Sequence, residues 1–299
     1  MWLQLALAVS HAALPAELYW KSVFPNTPMP KALRSILPPA TAGKQDVLIN
    51  MAAEDVVDAS FKYKFPYDAT PSKKFADGEP LTKKFKDIFF FESKLKPNQK
   101  INIIELIKET DKATFLPRSV AESIPFSTQN LPEIYKYFSV EAKSAKANIL
   151  KKTIESCESS SIRGEEKYCA TSLESFVDLG VSKLGKNIKL LSTELEKETK
   201  NQEFTIGEGI KMMGKSDIVC HKLKYPYAVF YCHSIEKTAV YMVPVVGADG
   251  TKAKALAVCH KDTSAWNPNH LSFQILKVQP GTVPICHFLA RETLVWISK

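Results

Sequence analysis

Four of the six cysteines in this 299-residue chain are followed directly by a histidine: Cys220-His221, Cys232-His233, Cys259-His260 and Cys286-His287. The dipeptides are separated by 10, 25 and 25 residues, and Trp296 follows the last after eight more. With only six histidines in the chain, four adjacent pairs are not a product of composition. The pattern constrains the fold because it falls among short β-branched and aromatic runs such as "AVFYCHSI", "KALAVCHK" and "TVPICHFL". Adjacent side chains of a strand point to opposite faces, so each dipeptide sends its sulfur one way and its imidazole the other. A hairpin symmetric about Pro226 sets Cys220 opposite Cys232 and gathers His221 and His233 on the other face. Two layers follow, thiols within and imidazoles at a site.

The thiols have two readings. Zinc sites use Cys and His at short C-x2-4-C spacing, which does not occur here. Disulfides are the better account, and an even count suits an oxidising compartment. Cys157 and Cys169 make a natural first bridge between two helices, worth about 2–4 kcal/mol. Cys220, Cys232, Cys259 and Cys286 allow three connectivities, and sequence alone does not choose among them. The hairpin favours Cys220–Cys232 with Cys259–Cys286. With the sulfurs tied up, the imidazoles are either satisfied core residues or a ligand set for copper, zinc, iron or nickel. An all-imidazole set in an oxidising compartment tilts the choice to copper. His270 lies off the pattern and reads as a loop residue, and His11 falls in the N-terminal apolar stretch.

That stretch, Met1 to Ala16, carries no charge and reads as a secretory signal peptide over residues 1–13 with a shortened start. Residues 14–86 read as a Pro- and Lys-rich leader and linker. Pro15, Pro25, Pro28, Pro30, Pro38 and Pro39 argue for an extended leader without regular structure. The domain proper occupies 87–299. Its N-terminal half is mixed, with a helix over Ala142–Glu158. A second helix is capped by Ser172, carries Leu173, Phe176, Val177, Val181 and Leu184 on its period, and ends at Gly185. From Asp217 the texture is β. The expected class is α+β, short helices first, then a C-terminal antiparallel sheet region carrying the four Cys-His pairs and stabilised by disulfides. No run approaches the roughly 18 apolar residues of a membrane span. The net charge of +8 is dispersed. It reads as a solvated surface or as attraction to a polyanion such as acidic pectin, and no nucleic-acid signature is present.

The run CH-x10-CH-x25-CH-x25-CH-x8-W resembles the signature of plant BURP-domain proteins at every spacing. Phe89-Phe90-Phe91, "FLPRSVAESIPFST", "GEEKYCATSLESFVD" and "YAVFYCH" are similar to further blocks of that domain. The resemblance covers roughly Phe89 to Trp296, and "HAALPAELYWKSVFPNTPMPKALRSILPP" resembles the entry segment of seed and dehydration-responsive members. It implies that His221, His233, His260 and His287 are copper ligands and the catalytic centre of a copper-dependent peptide cyclase. Such enzymes join a Tyr or Trp side chain to an unactivated carbon of a nearby residue, in cis or in trans. The alternative implied by other members is a non-catalytic cell-wall or seed and stress protein that meets pectin or a wall enzyme. No Gln-led core peptide is visible, and Tyr67, Tyr135 and Tyr137 are the candidate targets. Either way the chain is expected to enter the secretory route, to apoplast, cell wall or storage vacuole. The four rings are expected to converge, shielded by Phe230, Phe288 and Trp296, with His11 and His270 outside.

Overall fold

The computed structural model describes residues 16–38, 87–103, 106, 112–199, 203–214 and 217–299. The expected signal peptide, most of the expected linker and Tyr67 lie outside the described residues. In chain order the main elements are α1 (Ala16–Val23), α2 (Lys31–Arg34), β1 (Phe89–Phe91), β2 (Lys100–Asn102), α3 (Arg118–Ala121), α4 (Leu131–Tyr137) and α5 (Ala145–Glu158). Then come β3 (Glu165–Ala170), α6 (Leu173–Leu184), β4 (Ile188–Ser192), β5 (Glu194–Leu195), β6 (Glu203–Ile206), β7 (Lys211–Met213), β8 (Asp217–Leu223) and β9 (Val229–Ile235). The chain closes with β10 (Thr238–Gly247), β11 (Lys252–His260), α7 (Leu271–Leu276), β12 (Ile285–Phe288) and β13 (Leu294–Ser298). The fold is α+β.

The strands form two antiparallel sheets rather than one. Five strands run in the order β3-β9-β8-β13-β4, and eight more in the order β1-β12-β11-β10-β6-β2, with β5 on β11 and β7 on β10. Period-2 alternation then sorts the side chains into layers. Val219, Val295, Ile297 and Leu191 of the first sheet pack against Val240, Leu256 and Val258 of the second, which makes the two sheets face each other. The outer face of the five-stranded sheet carries Cys220, Cys232, Phe230, Leu294 and Trp296 under α6. The outer face of the other carries Cys259, Cys286, Phe288, Val243 and Val245 against Phe90, Ile103 and Leu106. Toward the β8–β9 turn the inner face is covered instead by α3, α4 and α5, through Ala121, Ile134, Leu150 and Ile154.

Helix α6 begins where the hydroxyl of Ser172 accepts from the Ser175 amide and Ser175 reciprocates, so two orphan donors of the first turn are satisfied. Gly185 follows at φ 76°, a left-handed conformation open to a residue without Cβ. Helix α5 opens on Ser144, whose hydroxyl accepts from the Ala147 amide.

The proline-rich leader departs from expectation. Residues 16–38 form α1 and α2 and place Tyr19, Trp20, Phe24, Met29 and Leu33 in the core over α6 and Trp296. Pro25, Pro28 and Pro30 fall between the helices and Pro38 after them, where a missing amide proton costs nothing, and Pro30 immediately precedes the first turn of α2. Aromatic burial decides the conformation of this segment. The Phe115 amide donates to the Ile36 carbonyl at 2.9 Å, tying its far end to the domain.

All six cysteines are paired: Cys157–Cys169, Cys220–Cys232 and Cys259–Cys286. The first bridge joins helix α5 to strand β3, not two helices, because Cys169 falls before the Ser172 cap.

Candidate functional site

The histidines take their places from the strand register. Cys220 is opposite Cys232, while His221 pairs with Tyr231 and His233 with Val219, so both imidazoles leave on the inner face. The second sheet repeats the device: Cys259 is opposite Cys286, with His260 beside Ile285 and His287 beside Val258. Each sheet thus contributes one disulfide on its outer side and one pair of imidazoles on its inner side. The four rings converge from two facing sheets, two from each, where a single sheet region was expected.

Within the first pair the Nε2 atoms of His221 and His233 are 3.3 Å apart. Two imidazole nitrogens bound to one ion at about 2.0–2.1 Å with tetrahedral angles take about that separation. Within the second pair the rings of His260 and His287 stack at 5.7 Å between centroids. Among the described residues no group of three or more His, Cys, Asp or Glu side chains is placed to hold a metal ion together.

Each outer nitrogen has an oxygen partner. His233 Nδ1 donates to Glu165 Oε1 at 2.9 Å, and His287 Nδ1 donates to the Phe288 carbonyl at 3.1 Å. His260 Nδ1 lies 3.0 Å from Thr238 Oγ1, and His221 Nδ1 lies 3.3 Å from Thr293 Oγ1. Carboxylate and carbonyl oxygens only accept, so His233 and His287, when neutral, carry their proton on Nδ1 and a lone pair on Nε2. That is the arrangement by which second partners orient imidazole ligands.

His221, His233 and His260 are 7, 7 and 5% exposed, and His287 is half-buried. Burial pushes the His221 and His260 rings well below the ordinary imidazole value, and the neighbouring imidazoles push the same way. Burial also pushes His287 down to about 4, against the opposing effect of its bond to the Phe288 carbonyl. For Glu165, burial raises the carboxyl, but the His233 ring, the Ile162 amide and the Tyr231 hydroxyl outweigh it and hold it below the usual range.

The shielding residues differ from expectation. Phe230, Phe288 and Trp296 lie in the outer-face clusters, because alternation turns them away from the imidazole layer. The rings meet Trp266, Phe89 and Tyr231 instead, at 4.9 Å from His260, 6.0 Å from His287 and 5.2 Å from His233. His270 ends the loop before α7, as expected, but it is buried rather than exposed. It is 1% exposed, caps α7 and sits against Trp266 at 4.5 Å. Its Nδ1 accepts from the Ser272 amide at 3.2 Å, so in the neutral ring the proton is on Nε2, the opposite tautomer to His233 and His287. Burial pushes its pKa down to about 3, with His287 adding to the effect. Tyr135 and Tyr137 lie on α4, where Tyr135 donates to the Ala147 carbonyl and Tyr137 meets Phe138. Glu165, Thr238, Thr293 and Trp266 escaped the sequence reading. Only Glu165 left a trace, inside the "GEEKYCATSLESFVD" block.

Two disulfide-backed strand pairs that turn four imidazoles into one inter-sheet space define a secreted-type Cys-His domain. The BURP domain family profile matches residues 88–298, and the chain belongs to that family. It is 51% identical over 217 residues to BURP domain protein RD22 of Arabidopsis thaliana, across 71% of this chain and 55% of that protein. It is 39% identical over 302 residues to BURP domain-containing protein 5 of Oryza sativa subsp. japonica, across 97% of this chain and 89% of that protein. With BURP domain-containing protein 3 of the same rice it shares 43% identity over 215 residues, 70% of this chain and 50% of that protein. The chain therefore spans about half the length of the Arabidopsis protein and of the latter rice protein. Among the described residues no helix is long and apolar enough to cross a membrane.

Proposed function

We propose that His221, His233, His260 and His287 form a copper site in a protein of the secretory route, and that the protein oxidises a Tyr or Trp side chain of a peptide, in cis or in trans. One observation carries the reading: four inward imidazoles with each Nδ1 engaged by an oxygen, two of them with Nε2 atoms 3.3 Å apart. The donor set favours copper because every cysteine sulfur is in a disulfide, leaving the borderline imidazole nitrogens as the ligands at the site. Bound copper with O₂ supplies one-electron oxidation of a phenol or indole. The chain's own residues do the rest: Glu165, Thr238, Thr293 and the Phe288 carbonyl hold the rings, while Trp266 and Phe89 keep water from them.

A second reading is favoured by the burial of the rings and by the lack, among the described residues, of any three ligands already gathered. In it the domain is a wall or stress-related interaction module whose dispersed basic surface meets a polyanion, and the imidazoles are structural. Intact mass after exposure to Cu(II) in air, with and without Tyr- and Trp-containing peptides, separates the two. Each crosslink removes two hydrogens, located by fragmentation, and none forms with His233→Ala. Copper binding with every mass unchanged favours the interaction module.

A further inference from the structure

The acceptor-only nature of one carboxylate fixes the protons of a four-residue chain. Glu165 is on β3, on the same face as His233, and its side chain is 5% exposed. Three donors converge on it: His233 Nδ1 at 2.9 Å and the Tyr231 hydroxyl at 3.1 Å on Oε1, and the Ile162 amide at 3.2 Å on Oε2. An ionised carboxylate donates nothing, so with neutral rings His233 holds its proton on Nδ1 and presents a lone pair at Nε2. The Nε2 of His221, 3.3 Å away, then donates to it, and His221 Nδ1 accepts from the Thr293 hydroxyl. The polarity Thr293 to His221 to His233 to Glu165 follows from the last member.

We propose that Glu165 is the positioning residue of this centre, setting the tautomer of His233 directly and that of His221 through it. Tyr231 holds the carboxylate in place from the other side. The proposal rests on the copper reading in one respect only: a metal would take the place of the His221 Nε2 proton. That proton, the only one on a nitrogen of the neutral ring, would shift to Nδ1, with the Thr293 hydroxyl rotating from donor to acceptor, an exchange open to a hydroxyl and closed to a carbonyl. Glu165 would keep the Nε2 lone pair of His233 aimed at the ion, as carboxylate partners of imidazole ligands do.

The test uses the full chain with ¹⁵N-labelled histidine, metal-free at neutral pH, followed by Cu(II) titration. Long-range ¹H–¹⁵N spectra are expected to show His233 protonated at Nδ1 and His221 at Nε2. Glu165→Leu should move His233 toward the Nε2–H form and lower copper affinity by about 10–100-fold. Glu165→Gln keeps a carbonyl acceptor and the fold, and should keep the tautomer with a smaller loss. An Nε2–H tautomer of His233 in the unaltered protein would overturn the proposal, as would a tautomer and affinity unchanged in Glu165→Leu. If the tautomers are as inferred but the unaltered protein binds no copper, the copper reading fails and the assignment of Glu165 stands.

Discussion

Trp20 of the leader stacks on Trp296 of the last strand, with ring centroids 6.1 Å apart and planes within 16°. The contact joins a segment outside the matched BURP domain to a residue at that domain's far end, and Phe24 and Phe176 complete the aromatic group. Trp20→Ala should therefore cost about 3–5 kcal/mol in denaturant unfolding, the usual penalty for emptying a buried aromatic site. A loss under about 1 kcal/mol would mean that the leader is not part of the core.

The same tryptophan limits its other neighbour. A Cβ on Gly180 would lie 2.9 Å from the Trp296 ring, so α6 approaches β13 closely only because this residue is glycine. Gly180→Ala should destabilise the protein by about 1–3 kcal/mol despite its gain in helix propensity. Equal or greater stability in urea titrations would refute the close packing.

Removing the bridge of the second sheet, through Cys259→Ala with Cys286→Ala, should cost about 2–4 kcal/mol. These sulfurs back the strands that carry His260 and His287, so copper affinity should fall with stability. An affinity equal to that of the unaltered protein would show that the bridge does not hold the rings.

Stability of the metal-free protein should depend on pH through the buried histidines. Burial lowers the folded-state pKa of His287 to about 4, while in an unfolded chain imidazole takes a proton near pH 6.5. Between these values the unfolded state binds more protons, so stability is full above about pH 6.5 and falls as pH drops toward about 4. His221 and His260 are shifted in the same direction and add to the slope. Asp217, whose carboxyl burial raises to about 7, keeps its proton in the folded state across this range and offsets part of the slope. Urea midpoints across about pH 6.5–5 should still fall, because His221, His260 and His287 outweigh it, and His287→Asn should make the fall shallower. A flat profile in the unaltered protein would mean that the rings are not held neutral by burial.

The Cys-His spacing made much of this legible in advance. Strand alternation separates sulfur from imidazole, and symmetry about Pro226 sets Cys220 against Cys232, as the register of β8 and β9 has it. Capping chemistry at Ser172 and the left-handed Gly185 placed α6 to the residue. What escaped was long-range. That the four histidines belong to two sheets depends on strand order, to which dipeptide spacing is blind. Glu165 acts on His233 from 68 residues away, and its sequence neighbourhood resembles any solvated β-strand. The prolines of the leader concealed a helical segment because their local bias was weighed without the aromatic core waiting for Tyr19 and Trp20. His270 lies in a loop as read, but its burial and its capping of α7 were not legible, because a His cap leaves little mark in sequence.

The central claim, that the inter-sheet imidazoles bind copper, is met most directly by Cu(II) titration of the full chain with electron paramagnetic resonance of the bound ion. The His221→Ala, His233→Ala double variant, checked for an unchanged melting temperature, is measured beside it. Saturable binding is expected in the unaltered protein, with hyperfine structure from imidazole nitrogens, and binding at least about tenfold weaker in the variant. Equal binding by the two proteins, or a bound ion without nitrogen hyperfine structure, would contradict the account.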